Sequence, residues 1–237
     1  MLLDRIVAGL TRKGAGPLVR ALYRPRVEGL ENVPVEGPVI LASNHLSFCD
    51  SVFVPLAVLG PPVRRTVAFI GKVEYFRGRR PDQRLVTSFM RAMGTVPVDR
   101  TGGRAAMAAM ATSERVLREG RVFGIYPEGT RSPDGRLYRG RTGAARLALS
   151  TGAPVVPCAV IGTDRVQPNG ARLPRPPWRS GRPTVRFGPP VPVGPRPVRR
   201  NDSAVLRAVT DDIMAAIAEL SGQEYVDAYA PAREEAA

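Results

Sequence analysis

Short apolar runs and helical segments alternate along this chain, and that alternation constrains the fold more than any other feature. "PVILASN" (38–44), "TVAFIGK" (66–72), "TVPVD" (95–99), "VFGIYPEG" (122–129), "PVVPCAVIG" (154–162) and "RPTVRFGPPVPV" (182–193) read as strands or strand regions by length and β-branched content. Between them, "SFCDSVFVPLAVL" (47–59), "QRLVTSFMRAMG" (83–94), "RAAMAAMATSERVLREG" (104–120) and "TGAARLALSTG" (142–152) read as helices, the last three with a terminal glycine. A final helix is predicted over 201–220, where Leu206, Val209, Ile213, Ile217 and Leu220 form one stripe behind the capping residues Asn201, Asp202 and Ser203. Strands alternating with helices predict an α/β sheet covered by helices. In such sheets chemistry gathers in the loops at strand ends.

The chain has 237 residues, 43% of them hydrophobic. That fits one domain with a substantial core. No run approaches the ~18–20 apolar residues of a spanning helix, and the start, "MLLDRIVAGL", does not read as a secretory signal. The expectation is a soluble or peripheral protein. Residues 1–23 have helical apolar spacing flanked by Arg5, Arg12, Lys13, Arg20 and Arg24. Such a basic amphipathic segment either lies in a membrane interface or packs on its own domain. Cys49 and Cys158 show neither metal-ligand spacing nor a disulfide framework, which points to a reducing compartment. The formal net charge of +14 predicts an anionic partner: acidic lipid, a phosphorylated metabolite, an acidic carrier protein or nucleic acid. Nucleic acid is disfavoured, because aromatics make up just 6% of the chain and no zinc spacing occurs. Lys13 and Lys72 are the only lysines, so composition bias accounts for much of the arginine and makes Lys72 more noticeable.

Candidate chemistry sits at the strand ends. His45, in "SNHLSFCD" (43–50), is the only histidine, and Asp50 follows it after four intervening residues. Histidine suits general-base work near neutral pH, and a carboxylate beside it sets its tautomer and stabilises the imidazolium. Ser47 and Cys49 stand close enough to be nucleophiles in a hydrolase, although no G-x-S-x-G elbow occurs. "GTVPVDR" (94–100) ends a strand at Arg100. "YPEGTRS" (126–132) turns through Glu128, Gly129, Thr130 and Arg131. There the arginine can fork onto a phosphate, and the glutamate can hold that arginine or meet an acceptor hydroxyl. Arg141, Thr142 and Gly143 open a helix, whose free N–H groups attract anions.

In order and spacing, "NHLSFCD", "GTVPVDR", "YPEGTRS" and "VPCAVIG" resemble the four sequence blocks of the glycerolipid acyltransferases, the closest likeness being to bacterial 1-acylglycerol-3-phosphate acyltransferases. The likeness runs from about residue 27 to 220. It implies a single α/β domain over 27–222 with a mixed central sheet flanked by helices, like that of glycerol-3-phosphate acyltransferase. An N-terminal amphipathic segment (1–26) precedes this domain and a tail (223–237) follows it. It further implies acyl transfer from a thioester, acyl-CoA or acyl carrier protein, to the sn-2 hydroxyl of the lysophospholipid 1-acylglycerol-3-phosphate, giving phosphatidic acid for phospholipid biosynthesis. His45 would be the base and Asp50 its orienting partner. Arg100, Glu128, Gly129, Thr130 and Arg131 would belong to the phosphorylated acceptor, with Lys72 a further candidate. No cofactor beyond the thioester cosubstrate is implied. The expected setting is the cytoplasm, peripheral on an anionic membrane surface at the inner face of the cell membrane. Another lysolipid or a glycolipid is the alternative acceptor.

Overall fold

The computed structural model describes residues 16–72, 87, 95–98, 103–171, 173–193 and 202–231. The start of the N-terminal segment, the helix expected over 83–94 apart from Thr87, Arg100, and the last six residues lie outside these. The principal sheet runs β1 (Arg26–Glu28), β9 (Thr184–Phe187), β8 (Val155–Ile161), β2 (Val39–Ser43), β6 (Val122–Ile125) and β3 (Val67–Ala68). All neighbours are parallel except β8 and β9, so the sheet is mixed as expected. Smaller ladders join β4 (Ile70–Lys72) to β5 (Val96–Val98) and β7 (Leu137–Tyr138) to β10 (Tyr225–Val226).

β2 is apolar up to its terminal Ser43 and buried throughout, which suits a central strand covered on both faces. Its alternation divides the core. Val39 and Leu41 face a layer containing Phe53, Val54, Ala57 and Val58 of α2 (Asp50–Leu59) and Tyr23 of α1 (Gly16–Tyr23). Ile40 and Ala42 face the opposite layer: α3 (Gly103–Arg118), α4 (Gly143–Thr151) and α7 (Ser203–Ser221). The stripe expected on the last helix is present, with Leu206, Val209, Ile213 and Ile217 buried. Asp202 caps that helix through its side chain, accepting from Ala204 N and Val205 N. Two short helices, α5 (Thr163–Val166) and α6 (Pro177–Ser180), bracket the loop that follows β8.

The run expected as one strand at 66–72 is divided. β3 pairs with β6 only through Val67 and Ala68, and the chain then leaves to join β5. Phe69 lies at the break, and its ring occupies the space that a side chain on Gly124 of β6 would need. Residues 223–231, read as the start of a tail, lie along the domain through β10. Arg20, on the amphipathic α1, turns inward and donates to Leu56 O near the end of α2, while Leu18 and Leu22 of the same helix face outward.

Candidate active site

Register brings the first and third motifs together. Ala42 of β2 stands opposite Ile125 of β6, in parallel. Three residues past each partner come His45 and Glu128, and His45 N donates to Glu128 Oε2 at 3.1 Å. Glu128 Oε1 accepts from Tyr138 N at 3.0 Å. The carboxylate is buried with both oxygens engaged by backbone, so it braces the two turns. Burial pushes its carboxyl up to about 7, although both N–H bonds favour the charged form. Ser132 N donates to His45 O at 2.7 Å and closes the same junction.

His45 Nδ1 lies 2.8 Å from Asp50 Oδ2. That oxygen also accepts from Leu46 N at 2.7 Å and Ser47 N at 2.8 Å. Facing two N–H donors, it can only accept, so the hydrogen it shares with His45 belongs to Nδ1. The lone pair is thereby placed on Nε2. Asp50 itself is fully buried at the first turn of α2, where the helix dipole favours a negative charge. The ring of His45 stacks on Tyr126, centroids 3.8 Å apart and planes within 7°. Tyr126 in turn stacks on Phe69 at 5.3 Å, and its hydroxyl is 3.0 Å from Ser51 Oγ. The imidazole is held on one edge and one face, with 17% of the side chain exposed.

The alternative nucleophiles are engaged elsewhere. Ser47 Oγ donates to Gln167 O at 2.7 Å and accepts from Cys49 N. The Cys49 thiol donates to Gln167 Oε1, and burial pushes it up to about 11. Such a thiol carries almost no thiolate near neutral pH. Cys158, inside β8, is pushed up to about 12. The backbone N–H groups of His45, Leu46, Ser47 and Cys49 are all taken, so none of these four is left to stabilise an oxyanion.

Of the remaining candidates, the turn after Glu128 and the backbone position of Lys72 are among the described residues. Gly129 has φ +77° and makes the sharp turn after Glu128; Thr130 and Arg131 follow, both partly exposed. Lys72 ends β4, opposite Val98 of β5. Sequence reasoning missed several contributors. Asn44 lengthens the β2–β8 ladder with its side chain, donating to Val160 O and accepting from Val160 N. Asn169 Nδ2 donates to Ser132 O. Gln167 and Asn169 sit in a "VQPNG" loop that carries no motif; Asn44, directly before His45, was the one legible signal.

A buried carboxylate that orients a histidine at the end of a parallel strand, beside a Glu-Gly-Thr-Arg turn, defines a class. The family described as Acyltransferase matches residues 24–161, and the chain belongs to it. Among its relatives, the chloroplastic 1-acyl-sn-glycerol-3-phosphate acyltransferase of Arabidopsis thaliana is 35% identical over 150 residues, covering 63% of this chain and 39% of that one. The 1-acyl-sn-glycerol-3-phosphate acyltransferase of Borreliella burgdorferi is 31% identical over 138 residues, 58% of this chain and 51% of that one. The matches thus span about two fifths to a half of these relatives' length. In fold, the chain is similar to the crystal structure of the 1-acyl-sn-glycerophosphate acyltransferase of Thermotoga maritima, with TM-score 0.64, 24% identity, and coverage of 93% of this chain and 82% of that one.

Proposed function

We propose that this protein transfers a fatty acyl group from a thioester, acyl-CoA or acyl carrier protein, to the sn-2 hydroxyl of 1-acylglycerol-3-phosphate, giving phosphatidic acid. The observation that carries the reading is the Asp50–His45 pair, with Nδ1 tied to the carboxylate and the lone pair on Nε2. The acceptor hydroxyl gives its proton to His45 Nε2 as its oxygen attacks the thioester carbonyl. Asp50 stabilises the imidazolium that forms. The tetrahedral intermediate then expels the thiolate, which takes the proton back from Nε2. No acyl-enzyme is needed, in keeping with the engaged Ser47 and Cys49. Arg131, Arg100 and Lys72 bind the acceptor phosphate with the Gly129–Thr130 turn, and Glu128 serves by fixing that turn to His45. Holding the phosphate orients the hydroxyl, which contributes through effective concentration. The chemistry as written uses no cofactor beyond the thioester.

The reaction belongs at a lipid interface. Among the described residues, no helix is long and apolar enough to cross a membrane. Leu18, Leu22, Leu173 and Trp178 are exposed by 66%, 49%, 78% and 81%. Tyr23 Oη donates to Arg175 O, and Arg182 Nε to Arg24 O, so α1 and the 173–182 loop adjoin. Exposed Arg24, Arg175, Arg179 and Arg182 accompany the apolar side chains. This composition supports peripheral docking on an anionic surface, with the cytoplasmic face of the cell membrane as the setting.

The test supplies purified protein with lysophosphatidic acid and either acyl-CoA or acyl carrier protein thioester, and follows the lipids by mass spectrometry. Phosphatidic acid should appear with the wild type, and about 10²- to 10⁴-fold more slowly with His45→Ala. Efficient acylation of a phosphate-free acceptor with lysophosphatidic acid left untouched would overturn the assignment of the acceptor.

A further inference from the structure

Residues 223–231 lie beyond the four motifs, yet they are tied to the site. Gln223 Oε1 accepts from Asn44 Nδ2 at 2.6 Å, one residue before His45, and Gln223 Nε2 donates to Gly135 O at 2.6 Å. Beyond it, Tyr225 and Val226 pair with Leu137 and Tyr138. Two flanking bonds, Leu137 N to Glu224 O at 2.9 Å and Arg139 N to Ala228 O at 3.0 Å, hold the register on either side. This strap delivers the ring of Tyr229 to two arginines. The guanidinium of Arg139 lies 5.7 Å from the ring centroid and that of Arg141 lies 5.1 Å from it.

The two arginines differ. Arg139 has a carboxylate partner, Asp227, at 3.6 Å. Arg141 is exposed, and among the described residues no carboxylate pairs with it. Its backbone N–H donates to Pro127 O at 2.8 Å. Its side chain passes over Gly129 so closely that a Cβ there would stand 3.1 Å from Nε and 3.2 Å from Cδ. Arg141 therefore rests against the turn whose Glu128 braces His45. A guanidinium supported on one face by an aromatic ring, with no carboxylate across its edge, keeps its N–H fork for a ligand. That fork matches the oxygens of a phosphate.

We infer that Arg141, held on the ring of Tyr229, is a binding position for a phosphate monoester of the substrate, and that the 223–229 strap positions it. The identity of the substrate rests on the acyltransferase reading; the site does not. The phosphate is either that of the acceptor or the 3′-phosphate of coenzyme A.

Steady-state kinetics of Arg141→Ala, Arg141→Lys, Tyr229→Ala and Tyr229→Phe separate these sources. If the phosphate is the acceptor's, Arg141→Ala raises the KM for lysophosphatidic acid by about tenfold or more, and kcat stays within about threefold. Tyr229→Ala raises it by about three- to tenfold, and Tyr229→Phe recovers most of that loss, because the ring rather than the hydroxyl faces the guanidinium. If it is the donor's, the rise falls on acyl-CoA and disappears with acyl dephospho-CoA. A KM unchanged for both substrates in Arg141→Ala overturns the proposal. A second measurement is independent of turnover. In 15N NMR of the arginine Nε–Hε groups, the signal lost in Arg141→Lys should shift on titration with glycerol 3-phosphate, and shift less in Tyr229→Ala. If the phosphate is the donor's, adenosine 3′,5′-bisphosphate rather than glycerol 3-phosphate produces that shift. Absence of a shift with both would overturn the site, whereas a shift in a protein without transferase activity would retain it and sink the proposed reaction.

Discussion

At residue scale, one oxygen decides the chemistry. Asp50 Oδ2 collects His45 Nδ1, Leu46 N and Ser47 N, so the same atom shapes the turn and sets the tautomer. His45→Ala should lower turnover by about 10²- to 10⁴-fold with the fold intact, as read by circular dichroism beside the transfer assay. Cys49→Ser should keep transfer within about threefold, because a thiol pushed up to about 11 is not the nucleophile; loss of all activity would restore the hydrolase reading. Glu128 makes a prediction about stability. Its carboxyl is pushed up from 4.5 to about 7, so the folded state holds that proton more tightly than the unfolded chain. The stability it contributes is complete below about pH 4.5 and is lost as pH rises through about 7. Glu128→Gln should remove that slope, worth up to about 3 kcal/mol, and should be less active through the loosened His45 turn. Unfolding midpoints of both proteins across pH 4.5–8 measure the difference.

At element scale, a packed series runs from a strand glycine to His45. Gly124 of β6 lies under the ring of Phe69, Phe69 stacks on Tyr126, and Tyr126 stacks on His45. A Cβ on Gly124 would stand 2.3 Å from the Phe69 ring. Gly124→Ala should therefore destabilise by about 1–3 kcal/mol and reduce turnover as Tyr126 is displaced. Adding Phe69→Leu should recover stability more than activity, because it relieves the overlap without restoring the stack. Denaturant titration and kcat of the single and double variants provide the check; additive losses in both would refute the coupling.

At the scale of the whole molecule, charge and apolar exposure act together. A net charge of +14 is long-ranged and screened by salt, whereas Leu173 and Trp178 act only at contact. Flotation with anionic vesicles should thus be strong at low ionic strength and weaker at about 0.5 M salt. Leu173→Ser with Trp178→Ser should lower it by about tenfold. Equal binding to neutral vesicles, or tighter binding to duplex DNA than to vesicles, would contradict the docking role.

What the sequence determined by itself is what near neighbours control. The alternation of strands and helices among the described residues, the glycine stops at Gly120 and Gly152, the stripe on the last helix and the His45–Asp50 pairing all depend on contacts a few residues apart, and all were legible. The order of the motifs carried the family. Only the tertiary structure decided the partners of those groups. Glu128, which the motif offered to the acceptor, serves the backbone of His45 from 83 positions away, because the β2–β6 register aligns the two turns. Tyr126 becomes the floor of the imidazole, and Gln223 reaches Asn44 across 179 positions. Such contacts follow from strand register and helix packing, which the entire core sets at once, so no local pattern in the chain announces them.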